Sequence, residues 1–204
     1  MKKISFLFLL FFVLTIDNQI FSQCDTCLVD LKSVDTTFVL DIRYATTNNF
    51  VGKILYKSSK AYLRKEAADS LKKVNDYLKR KYNLQLKIFD AYRPLSVQKI
   101  MWEIIQNPDF VADPKKGSRH NRGAAVDATL IDSLGRELEM GTEFDDFSEK
   151  ASRKYLSLPE ESIRNRKILE ETMSKFGFIG LESEWWHFDF YKWKEYSILD
   201  IDID

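Results

Sequence analysis

A long helical repeat followed at once by a strand repeat constrains the fold of this chain more than any other feature. From Lys60 to Tyr82 the apolar residues recur at steps of three and four, which is typical of an amphipathic helix. Leu84, Leu86 and Ile88 then alternate with polar residues, which predicts a half-buried strand that ends at Asp90. The close succession of the two periods indicates a chain that mixes helices and strands.

The other predicted elements continue this mixture. Strands are predicted at Thr37–Tyr44, at Ala124–Ile131 and through most of Phe178–Trp193, and helices at Val97–Ile104 and Pro159–Phe176. No internal repeat or linker interrupts the 204 residues, 45% of which are hydrophobic, and this is enough for one domain with a sizeable core. We therefore expect a single α+β domain with a central, mostly antiparallel sheet flanked by helices.

The charge balance argues against two classes of partner. The chain has 31 basic and 31 acidic side chains, so its formal net charge is zero. A balanced charge provides no electrostatic footprint for nucleic acid and is not typical of a basic protein on a membrane surface. We expect no nucleic-acid partner, and the sequence makes no prediction of the oligomeric state.

The N-terminus has the pattern of a secretory signal peptide. Met1–Lys3 is a short basic start, and an almost uninterrupted apolar run follows from Ile4 to Ile16. That run is too short to span a bilayer, which needs about 20 residues. We expect residues 1–23 to be cleaved and residues 24–204 to form a periplasmic or secreted domain without a transmembrane span. A buried N-terminal helix is the alternative interpretation.

The two cysteines of the chain, Cys24 and Cys27, follow the expected cleavage point directly. Outside the cytoplasm such a pair can close into a small disulfide. Cys24 is alternatively a site for a lipid anchor, although Gln23 is a poor match to the small residue that such processing prefers. Two thiols without further partners do not make a zinc site. We favour a structural or incidental role over an anchor.

Both histidines of the chain lie in short segments that also carry a carboxylate. The first segment holds His120 and Asp127, and the second holds Glu184 and His187. Two imidazoles and one carboxylate are the three protein ligands of a catalytic zinc site, whose fourth position is left to water. Glu184 would lie close enough to take a proton from that water without being a ligand.

Spacing alone leaves other interpretations open. Two histidines in unrelated places are more often ordinary polar or core residues, and Glu184 by itself is a typical surface carboxylate. Trp185 and Trp186 are expected in the core, because an indole offers no ligand atom. Residues three apart on a regular strand face opposite sides, so Glu184 and His187 converge only if a bulge or helical turn separates them.

Five separated motifs point to one family. In chain order they are Tyr44-Ala45-Thr46 before Asn49-Phe50, Asp90-Ala91-Tyr92-Arg93-Pro94, Ser118-x-His120 with Gly123-x-Ala125-x-Asp127, Met140-Gly141-Thr142-Glu143-Phe144-Asp145, and Glu184-x-x-His187. Together they resemble the zinc D-alanyl-D-alanine dipeptidases of the VanX type, from about Asp30 to about Tyr191. That group belongs with VanY-like D,D-carboxypeptidases and shares a metal-binding core with the hedgehog signalling domain, so a fold of this kind is expected.

The resemblance implies roles for the reacting groups. One zinc ion per chain would be held by His120, Asp127 and His187, with Glu184 as general base. Arg93 would hydrogen-bond the scissile carbonyl and the oxyanion that it becomes, and such a fixed cation is worth ~3 kcal/mol. Without the resemblance, Arg93 would be interpreted as part of a salt bridge. Imidazole and carboxylate ligands would also accept other divalent ions.

The resemblance also implies how the substrate is held. Asp145 and Tyr44 would receive the free ammonium of a dipeptide, and Ser118 would help to bind its carboxylate. A paired ammonium at a closed end of the site would restrict the enzyme to dipeptides. Without the resemblance, Asp145 would be interpreted as a cap and Tyr44 as a core residue.

We therefore expect a zinc metallopeptidase that hydrolyses D-Ala-D-Ala. A secreted enzyme cannot reach the cytoplasmic precursor pool, so turnover of wall-derived dipeptides is expected rather than glycopeptide resistance. Three alternatives remain: a D,D-carboxypeptidase that trims peptidoglycan stem peptides, an inactive zinc-containing module that binds wall peptides, and a peptidase for L-amino acids.

Overall fold

Strands and helices alternate irregularly along the chain in the computed structural model, which describes residues 27–108 and 110–203. The strands are β1 (Leu28–Asp30), β2 (Val39–Leu40), β3 (Tyr62–Arg64), β4 (Gln85–Asp90), β5 (Ala125–Ile131), β6 (Phe178–Gly180) and β7 (His187–Phe190). The helices are α1 (Leu31–Val34), α2 (Lys65–Tyr82), α3 (Leu95–Ile104) and α4 (Glu160–Lys175).

A five-stranded sheet forms the centre of the domain. Its strand order is β2-β4-β5-β7-β6, in which β2 and β4 are parallel and the other three pairs are antiparallel. β1 and β3 form a separate antiparallel pair. Helix α2 packs against β4 and α4, and α4 packs against β5 and β6. The predicted α+β class, with a mostly antiparallel sheet and flanking helices, is confirmed.

Strand β5 lies between β4 and β7, and all seven of its residues are buried. Successive side chains on a strand point to opposite faces of the sheet. Val126, Ala128 and Leu130 belong to the hydrophobic core, so Asp127 between them projects from the opposite face. The sheet thereby separates a packed apolar face from a face that carries polar groups.

The long predicted helix is shorter than its apolar pattern. The pattern starts at Lys60, but α2 begins at Lys65 because Tyr62–Arg64 pairs with β1 as a strand. The predicted end is correct: Asn83 follows α2 with a left-handed φ of 56°, and its N–H bonds the carbonyls of the last turn.

The strand predicted at Thr37–Tyr44 is wrong over most of its length. Only Val39–Leu40 pairs as β2. Arg43–Ala45 closes into a 3-10 turn, and the carbonyl of Tyr44 accepts hydrogen bonds from the N–H groups of residues 55 and 56 at 2.8 and 3.0 Å. A non-local contact therefore overrides the local β propensity.

The aromatic C-terminal segment, which was predicted to be mostly strand, is a hairpin of two short strands. β6 and β7 pair antiparallel, and residues 181–186 connect them. The other predicted elements, the strand that ends at Asp90, the strand at Ala124–Ile131 and the helices at Val97–Ile104 and Pro159–Phe176, are confirmed to within two residues.

The predictions for the N-terminus fall mostly outside the described residues. The proposed signal peptide, residues 1–23, and Cys24 lie there. Cys27 is disulfide-bonded. Among the residues that the structure describes, no helix has the length and apolar character needed to cross a membrane.

Candidate active site

Strands β5 and β7 bring two of the predicted metal ligands face to face. Asp127 and His187 are register partners, with Asp127 Oδ1 3.0 Å from His187 Nδ1. His120 enters from a 3-10 turn, and its Nε2 lies 3.1 Å from His187 Nδ1 and 3.4 Å from Asp127 Oδ1. All three side chains are buried, and one possible ligand atom from each lies within 4.8 Å of the others. Residues 120, 127 and 187 thus form one compact cluster.

Outer hydrogen bonds orient both imidazoles toward the cluster. His120 Nδ1 lies 2.6 Å from the carbonyl oxygen of Ala91, which can only accept, so we assign a proton to Nδ1, and Nε2 faces the cluster. His187 has the reverse arrangement, because its Nε2–H donates to Asp189 Oδ1 at 2.9 Å and leaves Nδ1 toward the cluster. Metal-binding histidines are typically oriented by such partners.

The cluster holds an ionised carboxylate in a buried setting. Burial opposes charge on Asp127, but nearby His120 and hydrogen bonds from both imidazoles hold the pKa of Asp127 well below its usual range. Burial also opposes charge on His187, yet its hydrogen bonds to Asp127 and Asp189 raise the pKa of His187 to about 10. The carboxylate of Asp127 and the two imidazoles thus stabilise one another's charge.

Glu184 lies on the connection between β6 and β7, beside the cluster. The N–H of Glu184 bonds the carbonyl of Leu181 at 3.2 Å, so a turn precedes His187. This turn lets both side chains converge, with Glu184 Oε2 3.8 Å from His187 Nδ1. The side chain is 18% exposed, and burial raises the pKa of Glu184 above its usual value. Glu184 therefore adjoins the cluster while it still reaches solvent.

Arg93 is a buried cation held in a fixed position. Its Nε and Nη2 donate to Asp90 Oδ2 at 3.1 and 2.7 Å, and its Nη1 donates to Gln98 Oε1 at 2.9 Å. Burial opposes the charge, but Asp90 keeps the pKa of Arg93 well above its usual range. Its backbone N–H bonds the carbonyl of His120 at 3.1 Å, which connects the arginine to the loop that carries a cluster histidine.

Asp145 and Tyr44 form a second polar pair. The Tyr44 hydroxyl donates to Asp145 Oδ2 at 3.0 Å, and the Arg93 guanidinium lies 5.1 Å from the centre of the Tyr44 ring. Burial, together with the charge of Asp127, raises the pKa of Asp145 well above its usual range. Asp145 also has a left-handed φ of 62°, which few non-glycine residues adopt and which is often found at functional sites.

One cavity of about 400 Å³ connects all of these groups. This volume is typical of a site for a small molecule. Its lining includes all eight residues that sequence analysis singled out: Tyr44, Arg93, Ser118, His120, Asp127, Asp145, Glu184 and His187. Aromatic rings complete part of the wall, from Phe50, Phe110, Phe147 and Trp186. The structure therefore brings the predicted residues together around one cavity.

The two tryptophans before His187 are core residues, as expected. Trp185 and Trp186 are both buried. The indole N–H of Trp185 donates to the Thr142 hydroxyl at 2.8 Å, which satisfies its polar atom. Trp186 additionally forms part of the cavity wall.

Sequence analysis missed three charged residues of the site. Asp189 orients His187, and its position two residues further along a strand was a signal, because such residues share a face. Asp90 belongs to one of the five motifs, but its bond to Arg93 depends on the bend after β4. Arg119 also lines the cavity, and no local pattern marks it.

Comparison with known proteins identifies the family of the chain. The chain belongs to a family of hydrolases. This is the D-Ala-D-Ala dipeptidase family, whose model matches residues 25–196. It is 37% identical over 174 residues to the D-alanyl-D-alanine dipeptidase of Escherichia coli (strain K12), which covers 85% of this chain and 90% of that protein.

More distant matches carry related names. The D-alanyl-D-alanine dipeptidase of Enterococcus faecalis (strain ATCC 700802 / V583) is 28% identical over 169 residues, covering 72% of this chain and 83% of that protein. Among solved structures, VanYB in complex with D-alanine-D-alanine matches with 16% identity and a TM-score of 0.45, over 69% of this chain and 77% of that chain.

Proposed function

We propose that the protein is a zinc-dependent dipeptidase that hydrolyses D-Ala-D-Ala in peptidoglycan turnover. The observation that carries the proposal is the single cavity lined by the cluster of two histidines and an aspartate, a nearby carboxylate and a fixed arginine. Membership of the D-Ala-D-Ala dipeptidase family supports the substrate class.

The donor set fits a zinc ion. His120, Asp127 and His187 would hold it, since they offer two imidazole nitrogens and an ionised carboxylate oxygen in a buried position. The far nitrogen of each ring already has a partner, which is the arrangement that metal ligands need. When bound, zinc supplies a Lewis acid and lowers the pKa of a coordinated water.

Glu184 would act as the general base. Its carboxylate lies at the edge of the cluster, 3.8 Å from His187 Nδ1, where an attacking water would be within reach. The pKa of Glu184 is raised by burial, so the carboxylate takes up a proton more readily than an exposed one. The same group would then give that proton to the leaving amine.

Arg93 would stabilise the negative charge that develops on the substrate carbonyl oxygen. Asp90 and Gln98 hold its guanidinium in place before substrate binds. A preorganised cation in a buried site stabilises a transition state without having to reorganise during the reaction.

The ends of the dipeptide would be recognised by separate groups. Asp145 and Tyr44 would pair with the free ammonium. Burial disfavours the charged form of Asp145, and the positive charge of the ammonium would stabilise that form. The Ser118 hydroxyl, also in the cavity lining, would help to bind the carboxylate. A longer peptide has no free ammonium at this distance from its scissile bond, so the pairing would favour dipeptides.

We place this activity outside the cytoplasm. Residues 1–23 would be a cleaved signal peptide, and residues 24–204 the catalytic domain in the periplasm or outside the cell. There the substrate would come from wall-derived dipeptides. N-terminal sequencing of the processed protein after cell fractionation tests this assignment, and an intact Met1 in the cytosol would contradict it.

The activity is tested on the processed protein, purified with zinc from cells that express the full chain. D-Ala release is followed from D-Ala-D-Ala and, in parallel, from a stem pentapeptide. Cleavage of the dipeptide that is lost in a Glu184→Ala variant of normal zinc content is the expected result. Cleavage of the pentapeptide alone would identify a D,D-carboxypeptidase, and no cleavage despite bound zinc would favour a binding module.

A further inference from the structure

Arg119 is a cation in the cavity wall that the proposed mechanism leaves without a role. We propose that its guanidinium pairs with the C-terminal carboxylate of the substrate and so selects peptides with a free C-terminus. This inference rests on the proposed function, since it assumes that the cavity binds a peptide.

The position of Arg119 suits this role. It lies between Ser118 and His120 in the chain and lines the same cavity. The other arginine in the lining, Arg93, is tied to Asp90 and Gln98. Of the two arginines in the lining, Arg119 is therefore the one available to the carboxylate of a bound peptide. It follows Ser118 in the chain, so it would act beside the Ser118 hydroxyl.

The guanidinium of Arg119 is held in place on a side chain that is still partly exposed to the cavity. It lies 4.7 Å from the centre of the Trp193 ring, and its Nε is 3.4 Å from Asp189 Oδ2. Within the part of the chain that the structure describes, this buried Nε has no hydrogen-bond partner. The side chain as a whole is 41% exposed. A stacked, planar guanidinium on a partly exposed side chain matches a planar carboxylate.

The negative charge of Asp145 and the positive charge of Arg119 have different neighbours in the cavity. Asp145 is bonded to Tyr44, whose ring lies under Arg93. Arg119 instead contacts Asp189, whose other carboxylate oxygen accepts from His187 Nε2. A dipeptide zwitterion would place its ammonium at Asp145 and its carboxylate at Arg119. The scissile amide would then lie between them, beside the cluster of two histidines and an aspartate.

Arg119 and Asp145 would therefore recognise different ends of the substrate. Asp145 would bind the free ammonium, which distinguishes a dipeptide from a longer peptide. Arg119 would bind the free C-terminal carboxylate, which a dipeptide and a stem peptide both have. A substrate whose carboxylate is converted to a neutral carboxamide would lose the Arg119 contact alone.

The experiment measures binding of D-Ala-D-Ala and of its carboxamide by calorimetry. The zinc-loaded Glu184→Ala protein serves as the background, because it would bind substrate without turnover. We expect this protein to prefer the acid by roughly ten- to hundredfold, as for a charge-assisted hydrogen bond. Adding Arg119→Ala should abolish the preference, and Arg119→Lys should restore part of it. A preference that survives Arg119→Ala, or equal weakening of both ligands, overturns the proposal.

Arg122 provides a matched control in the same turn. Its guanidinium lies 5.7 Å from the centre of the same Trp193 ring, and its Nη1 donates to the carbonyl of Tyr196. Arg122→Ala in the same background should leave the preference for the acid unchanged, and loss of the preference there would overturn the proposal.

Hydrolysis by the unmodified protein separates the two hypotheses. If it cleaves neither peptide while binding still depends on Arg119, the proposed dipeptidase activity fails and the carboxylate site stands. If the unmodified protein cleaves D-Ala-D-Ala and Arg119→Ala keeps the same kcat/KM, the dipeptidase activity stands and the Arg119 proposal fails.

Discussion

Asp127 and His187 are register partners on antiparallel strands, and their facing oxygen and nitrogen lie 3.0 Å apart. Directly opposed residues project from the same face of a sheet. The backbone pairing of β5 and β7 therefore sets the separation of two donor groups independently of a metal ion. His120 joins them from a turn whose carbonyl accepts the N–H of Arg93. Backbone geometry thus brings the three side chains of the cluster together.

Asp189→Asn should weaken zinc binding without unfolding the protein. Asp189 accepts the Nε2–H of His187 at 2.9 Å, and an asparagine would orient that ring less firmly and leave it less basic. Loss of such an outer partner typically costs ten- to hundredfold in metal affinity, so we expect roughly that loss here. Competition with a chelator measures it. Asp69→Asn, which alters an exposed ion pair with Lys65, is the control. Unchanged zinc affinity in Asp189→Asn would show that the bond does not support the metal site.

Asp145→Asn should raise KM for D-Ala-D-Ala by roughly tenfold or more, because the ammonium would lose its charged partner. Asparagine tolerates the left-handed φ of 62° at this position, so the backbone should be retained. Steady-state kinetics on the dipeptide and on an N-acetylated tripeptide test the assignment, since the tripeptide should be much less affected. An unchanged kcat/KM for the dipeptide would refute the role of Asp145.

The parts of the fold that local patterns determine could be predicted from the sequence. The helix α2 has an apolar stripe that buries Leu71, Val74 and Leu78, and the pattern predicted it with an error only in its first turn. That error has a non-local cause, since Tyr62–Arg64 is drawn into pairing with β1. Tyr44 likewise leaves the predicted strand because distant N–H groups bind its carbonyl.

Some residues of the site could likewise be predicted from the sequence, and others could not. His120 and His187 could be grouped because the chain has only two histidines, and the known chemistry of zinc ligands connects them to a carboxylate. Residues that act through tertiary contacts could not be found from the sequence in this way. Arg119 becomes visible only when Trp193 and Asp189 are folded against it.

Asp35 should make stability depend on pH in the acid range. Burial disfavours its charge, but hydrogen bonds from Thr37 and Asn75 outweigh this and lower its pKa to about 2, from 3.8. The folded pKa is below the unfolded one, so this stabilisation is complete above about pH 4 and is lost as pH falls toward 2.

Asp35→Asn should therefore lower the free energy of unfolding by about 1–2 kcal/mol at pH 7, and by less as pH falls from 4 to 2. Urea denaturation at pH 7 and near pH 2.5 measures the difference. Asp69→Asn, on an exposed helix face, should change little at either pH. An equal loss at both pH values would assign the effect to packing and not to the charge.

Arg153 clamps the connection that carries Glu184 to the cluster. Its Nε donates to the carbonyl of Leu181, and its Nη2 donates to the carbonyls of Trp185 and His187, each at 2.9 Å. The guanidinium also lies 4.3 Å from the centre of the Phe188 ring. These bonds span both ends of the turn, so they fix the position of Glu184 without contact with substrate.

Arg153→Lys should lower kcat on D-Ala-D-Ala by roughly tenfold with a smaller change in KM, because an ammonium cannot span the three carbonyls and Glu184 would lose its alignment. Stability should fall by about 1–3 kcal/mol. Arg166→Lys is the matched control, since Arg166 donates to the carbonyls of Met140, Ser152 and Lys150 instead. It should lose similar stability and keep most of its kcat. Equal kcat losses in both variants would mean that Arg153 supports the fold in general and not the alignment of Glu184.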